Sequence, residues 1–142
     1  MISKTVWERG IEAYKNFGLS DDQMYPAFKK QPMCMLISEK KINKMMKFFL
    51  TKLNTETSAI CKYPNLLLFS LEKRLIPRCS VLQLLVSTGL MNEDIKLFHP
   101  PTMTEKKFVE MLVRKYQHVL LDIVKAHEGK IEFQGFPVVL KL

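Results

Sequence analysis

The stretch AFKKQP at residues 27–32 returns as AICKYP at residues 59–64. Each reads Ala, apolar, x, Lys, x, Pro, and each Pro is followed six residues later by a Ser, Ser38 and Ser70. Pro32 and Pro64 stand 32 positions apart. Self-similarity of this period belongs to arrays of helix pairs. One pair cannot bury its apolar face alone, so neighbours stack and share a core. The proline has a mechanical role, because it disfavours the α region in the residue before it. A short helix must therefore stop at Gln31 and again at Tyr63. The chain then turns through MCMLI (33–37) or NLLLF (65–69), mostly apolar segments expected as buried 3₁₀ turns. The Ser that follows caps the next helix. Upstream the copies differ: Gly18 precedes Pro32 by fourteen residues and Asn54 precedes Pro64 by ten. That difference is about one helical turn, so the shorter helix keeps its apolar face.

Working outward, SDDQ at 20–23 is a capping box and starts the first short helix near Asp21. Gly18 ends an earlier helix over about 5–16, with Trp7, Ile11 and Tyr14 on one face. After Ser38, the residues Ile42, Met45, Met46, Phe49 and Leu53 recur at spacings of three and four, an amphipathic stripe. Lys40, Lys44 and Lys47 fall on another face. In the second copy a short helix near 56–62 stops at Pro64, and Ser70 opens a segment towards Thr88. Pro77 should kink or restart that segment, and Gly89 should end it. NED at 92–94 marks a weaker third start. Thr102 and Glu105 form a further capping pattern, opening a long helix to about Ala126. There Phe108, Leu112, Tyr116, Val119, Leu120 and Ile123 would share a side, and Gly129 would end it. The tail KIEFQGFPVVLKL reads as a short strand or as an apolar arm. The expected fold is all-α. Helical repeats cover 1–128 (about 18–53, 54–89 and a degenerate third at 90–128), and 129–142 form an atypical tail.

With 142 residues, 47% hydrophobic and 25% charged, the chain suits one ordinary folded domain. Its formal charge of +8 favours polyanionic partners such as nucleic acid or an anionic membrane surface, although such a charge is also common in proteins that bind neither. No apolar run approaches the roughly 20 residues that span a bilayer, so no membrane role is expected. The first residues fit neither a secretory signal nor a transit peptide. Cys34, Cys61 and Cys79 show no CxxC spacing and read as small apolar residues of a reducing compartment. His99, His118 and His127 lie far from them without paired-ligand spacing, so no metal site is expected. No cofactor is expected either. GxSxG, P-loop and HExxH motifs are absent, and the five Gly are scattered singly. The acid pairs at 21–22 and 93–94 sit at helix starts, where the dipole favours them. Nothing points to an enzyme.

Three stretches carry a family resemblance: AFKKQPMCMLISEKKINKMMKFFLTKL, NLLLFSLEKRLIPRCSVLQLLVSTGL and TEKKFVEMLVRKY. Together they resemble the C-terminal part of a plant mitochondrial transcription termination factor (mTERF) protein, over roughly residues 7–116. FSLEKRLIPR at 69–78 is the most specific part. The resemblance implies a short right-handed solenoid, incomplete here, whose units are two α-helices and a 3₁₀ turn. It also implies a basic groove for double-stranded nucleic acid in mitochondria or chloroplasts, with roles in transcription, its termination and RNA maturation. Family members usually carry a targeting segment and more repeats before this region, and the tail matches nothing in the family.

Between residues 28 and 52 lie seven Lys and one Glu, most of the chain's excess charge. Lys40, Lys44 and Lys47, with Lys73, Arg74 and Arg78 of the next copy, are the candidates for phosphate contacts along one edge of the array. Arg can grip a phosphate through two donors, although Arg74 could instead pair with Glu72 or cap a helix end. The expected partner is double-stranded DNA or structured RNA, bound through its backbone by a monomer. The alternatives are a scaffold that docks other proteins on an exposed apolar edge, or a truncated family member without independent function.

Overall fold

Four hydroxyl side chains start the longer helices. Ser3, Ser38, Ser70 and Thr104 adopt extended backbone conformations. Each accepts a hydrogen bond from the N–H three residues on, at 3.1–3.2 Å. Successive caps stand 35, 32 and 34 residues apart, so the period of the two proline sentences runs beyond them in both directions.

The computed structural model describes residues 3–91 and 103–136, whose regular structure is helical, with no strand among the described residues. They fall in two compact units, Met1–Phe69 and Ser70–Leu142. The division lies inside the second copy.

In the first unit, α1 (Lys4–Lys15) ends at Gly18, which takes φ +92°. Helix α2 (Asp21–Lys30) begins with the capping box of Ser20 and Gln23, both bonds formed. Pro26 lies inside α2 and removes the N–H that would reach back to Asp22. Helix α3 (Glu39–Lys47) continues as a π-helical turn over Phe48–Lys52 and stops at Asn54, which takes φ 55°. Helix α4 (Thr57–Lys62) completes the unit. The two proline sentences fold alike. Gln31 (φ −136°, ψ 76°) and Tyr63 (φ −127°, ψ 59°) leave their helices in nearly the same conformation. Pro32 and Pro64 each open a 3₁₀ turn, Pro32–Met35 and Pro64–Leu68.

Equivalent parts stack on each other within this unit. Helix α2 packs on α4, the first 3₁₀ turn on the second, and α1 on α3. Gln23 Nε2 donates to Thr57 Oγ1 at 3.2 Å and Gln31 Nε2 to Asn65 Oδ1 at 2.7 Å, both pairs 34 residues apart. Cys34 Sγ donates to the Pro64 carbonyl at 3.2 Å. Helix α1 therefore sits where a preceding copy would place its second helix. Its buried face is Gly10, Ala13 and Tyr14, while Trp7 and Ile11 are half-buried. A Cβ on Gly10 would lie 3.3 Å from the Met35 carbonyl oxygen, tighter than an ordinary contact, so the glycine eases this approach. The Tyr14 hydroxyl donates to the Cys34 carbonyl at 2.7 Å, tying α1 to the 3₁₀ turn. The turns are only partly buried: Cys34, Met35, Leu66 and Leu67 face inward, whereas Met33 and Leu36 are exposed.

In the second unit the segment after Ser70 opens as a π-helical turn, Leu71–Leu75, and restarts as α5 (Ile76–Ser87) with Pro77 in its first turn. Gly89 ends it at φ +78°. The expected start at 92–94 and the capping role of Thr102 lie outside the described residues. The observed cap is Thr104, and Glu105 is the first residue of α6 (Glu105–Phe108), which runs on as a π-helical stretch, Val109–Arg114. The long helix to Ala126 is not formed. It breaks at 117–121, without Gly or Pro, and α7 (Asp122–His127) follows. The break lets α7 pack on α5 with Ile123 and Ala126 buried. As a result Val119, expected on the apolar side, is 66% exposed. Gly129 ends α7. The described part of the tail, 131–136, is irregular, with Phe133 and Phe136 buried.

Candidate nucleic-acid interface

Helix α3 positions the first three candidate cations. All five residues of its apolar stripe, Ile42, Met45, Met46, Phe49 and Leu53, are buried. With that side fixed against the core, Lys40, Lys44 and Lys47 are held exposed. Among the described residues no carboxylate pairs with Lys40 or Lys47. This cationic side can accept phosphate oxygens without first breaking an internal ion pair at those two positions. Lys41, one residue away, behaves differently: its Nζ donates to the Leu68 carbonyl at 3.3 Å.

The second unit treats its candidates differently from one another. Lys73 is exposed. Arg74 is half-buried, and its Nη2 donates to the Met103 carbonyl at 2.8 Å. Burial, then repulsion from Arg78, lowers the Arg74 pKa, and Glu105 opposes the shift. Arg78 is 2% exposed. Its Nη1 donates to the same Met103 carbonyl, and its Nη2 lies 3.1 Å from Glu105 Oε2. The guanidinium carbon sits 4.7 Å from the centroid of the Phe108 ring. His127 completes the cluster, with Nε2 2.7 Å from Glu105 Oε1 and its ring stacked on Phe108. Burial pushes the Glu105 carboxyl up, but hydrogen bonds from Arg78 and His127 and their charges outweigh it and hold the pKa below the usual value.

The expectation that Arg78 grips phosphate is therefore corrected: its donors are turned inward, away from any backbone it could bind. The repeat register explains why. Counted from the Ser38 and Ser70 caps, Arg74 holds the place of Ile42 and Arg78 that of Met46, both core positions. The places of Lys40, Lys44 and Lys47 fall on Glu72, Ile76 and Cys79 in the second copy. Sequence spacing alone assigned Arg78 to the surface because an arginine is rarely this buried. Aligning the capping serines first would have exposed it as a buried cation needing a partner, without saying which residue that partner is. The Glu105–His127 contact left no signal at the level of spacing.

The remaining polar chemistry of the described residues is quiet. No group of three or more His, Cys, Asp and Glu is placed to hold a metal ion. The three cysteines are free. Burial pushes the Cys34 and Cys79 thiols up to about 12, in Cys34 against a lowering by Lys41. No helix among the described residues is long and apolar enough to cross a membrane.

The family model for mTERF matches residues 1–109, more than half of the chain. No curated protein and no solved structure matches it.

Proposed function

Because the chain belongs to the mTERF family, whose members are generally non-catalytic nucleic-acid binders of organelles, we propose that it binds a double-stranded nucleic acid without catalysis and so regulates organellar transcription, its termination or RNA maturation. The reading rests on one observation above the others. Lys40, Lys44 and Lys47 stand exposed on the side of α3 opposite a fully buried stripe, within the family-matched segment. In the second unit Lys73 is an exposed cation of its own and Arg74 is half-buried, while Arg78 is withdrawn from the set. Cations held this way bind phosphates of any sequence. They set affinity and register and leave base choice to other contacts. The place of action is a mitochondrion or chloroplast, and the ligand is duplex DNA or structured RNA.

A titration of a fluorescent 30-base-pair DNA duplex at several salt concentrations tests this. The logarithm of the affinity should fall linearly with the logarithm of salt concentration. A flat response, or no binding at low salt, would remove the reading. A second reading, a scaffold that docks a protein partner, draws on the exposed Met33, Leu36 and Tyr63 around the two 3₁₀ turns. Lys44→Glu separates the two: it should weaken duplex binding and spare an apolar partner.

A further inference from the structure

Residues 131–136 lie beyond the segment that matches the family and have no regular structure of their own. They are nevertheless held at three points. Phe133 and Phe136 are 5% and 6% exposed, their rings edge-to-face at 5.4 Å. Between them, the side-chain carboxamide of Gln83 on α5 grips the backbone: Nε2 donates to the Gly135 carbonyl, and Oε1 accepts from the Gln134 N–H at 3.3 Å. A carboxamide used this way stands in for a neighbouring strand's peptide group, offering one donor and one acceptor at fixed separation. It reads main chain, so the side chain at 134 is free to vary, and Gln134 is exposed. Gly135 takes φ +95°, a conformation costly for other residues, which lets the chain turn so that both aromatic anchors point inward.

We propose that Gln83 marks a peptide-binding groove on the second unit, specific for a Phe-x-Gly-Phe segment that turns at its glycine, and filled in this chain by its own residues 133–136. Two aromatic anchors give the groove its affinity, and the amide clamp sets the register of the peptide. The tail is thus a tethered ligand seated on the repeat fold rather than a part of that fold.

The 142-residue chain carrying Phe133→Ala and Phe136→Ala leaves the groove empty. A fluorescein-labelled peptide of sequence KIEFQGF, followed by anisotropy, should bind this variant saturably and the wild type at least tenfold more weakly. Adding Gln83→Ala to the emptied chain should weaken the peptide by about tenfold, the scale of losing two backbone hydrogen bonds. A peptide with both Phe replaced by Ala should not bind. Equal binding to wild type and emptied chain would put the peptide elsewhere. An emptied chain that melts cooperatively but binds nothing, or that no longer folds, would make the tail part of the core. Each of these results overturns the proposal.

Discussion

Nη2 of Arg78 stands 3.1 Å from Oε2 of Glu105, an ion pair whose basic end is 2% exposed and whose acidic end is 64% exposed. The asymmetry decides which partner matters. Removing Glu105 leaves Arg78 with the Met103 carbonyl and the face of Phe108, and a half-solvated pair contributes little. Removing Arg78 empties the space over Phe108 and strips the Met103 carbonyl of one donor. Arg78→Ala should destabilise the chain by about 3 kcal/mol, and Glu105→Gln by about 1 kcal/mol or less. Urea melts of the two variants measure this. Equal losses would mean that the charge, not the buried guanidinium, holds the cluster together.

The equivalence of the Ser38 and Ser70 caps makes a second expectation. Both accept from the N–H three residues on, at 3.1 and 3.2 Å, from extended backbone. Ser38→Ala and Ser70→Ala should each cost about 1 kcal/mol, the usual value of an N-cap. Losses differing by more than about twofold in the same melts would show that the two copies do not use their caps alike.

Much of this is legible in the amino-acid sequence. Proline followed six residues later by serine is a local rule, set by a fixed φ and one side-chain bond, so Pro32, Ser38, Pro64 and Ser70 behave as their spacing predicts. The stripe from Ile42 to Leu53 is legible for the same reason: burial follows helical period. What failed depended on distant partners. Nothing near Arg78 in sequence announces Met103 or Glu105, which lie 25 and 27 residues on. The break at 117–121 was equally hidden, since no residue there stops a helix and only packing of α7 on α5 calls for one. In α1 the periodicity found the right helix but not its deepest face, because small residues, Gly10 and Ala13, make the closest approach.

The exposed lysines of α3 carry a quantitative expectation. Each cation that neutralises a phosphate of duplex DNA contributes about 0.9 to the slope of log affinity against log salt. Lys40→Gln, Lys44→Gln and Lys47→Gln together should therefore reduce that slope by about 2.7. Stability should change by no more than about 0.5 kcal/mol per exposed site. Arg78→Met, by contrast, should leave the slope of the folded protein unchanged. Salt titrations of the wild type, the triple variant and Arg78→Met decide it, and an unchanged slope in the triple variant would remove α3 from the interface.

Alkaline pH should loosen the fold through its buried thiols. Cys34 and Cys79 are 0% exposed, and burial raises both to about 12 from an ordinary 9.0. The sign follows from which state ionises first. Above pH 9 the unfolded chain releases these protons while the folded chain keeps them, so unfolding gains free energy. Their contribution to stability is fully present below pH 9 and declines as pH rises towards 12, by at most about 1.4 kcal/mol per pH unit for each thiol. Burial, ahead of the nearby Cys34 and Cys61, also raises the Tyr14 phenol above its ordinary 10.0, which adds to the decline above pH 10. Urea melts between pH 8 and 10.5 should show stability falling from about pH 9, and Cys79→Ala should remove one thiol's share of the slope. At pH 8 a disulfide reagent should label the half-exposed Cys61 well before Cys34 and Cys79. Stability level up to pH 10.5, or three thiols labelled at one rate, would show that Cys34 and Cys79 are open to solvent.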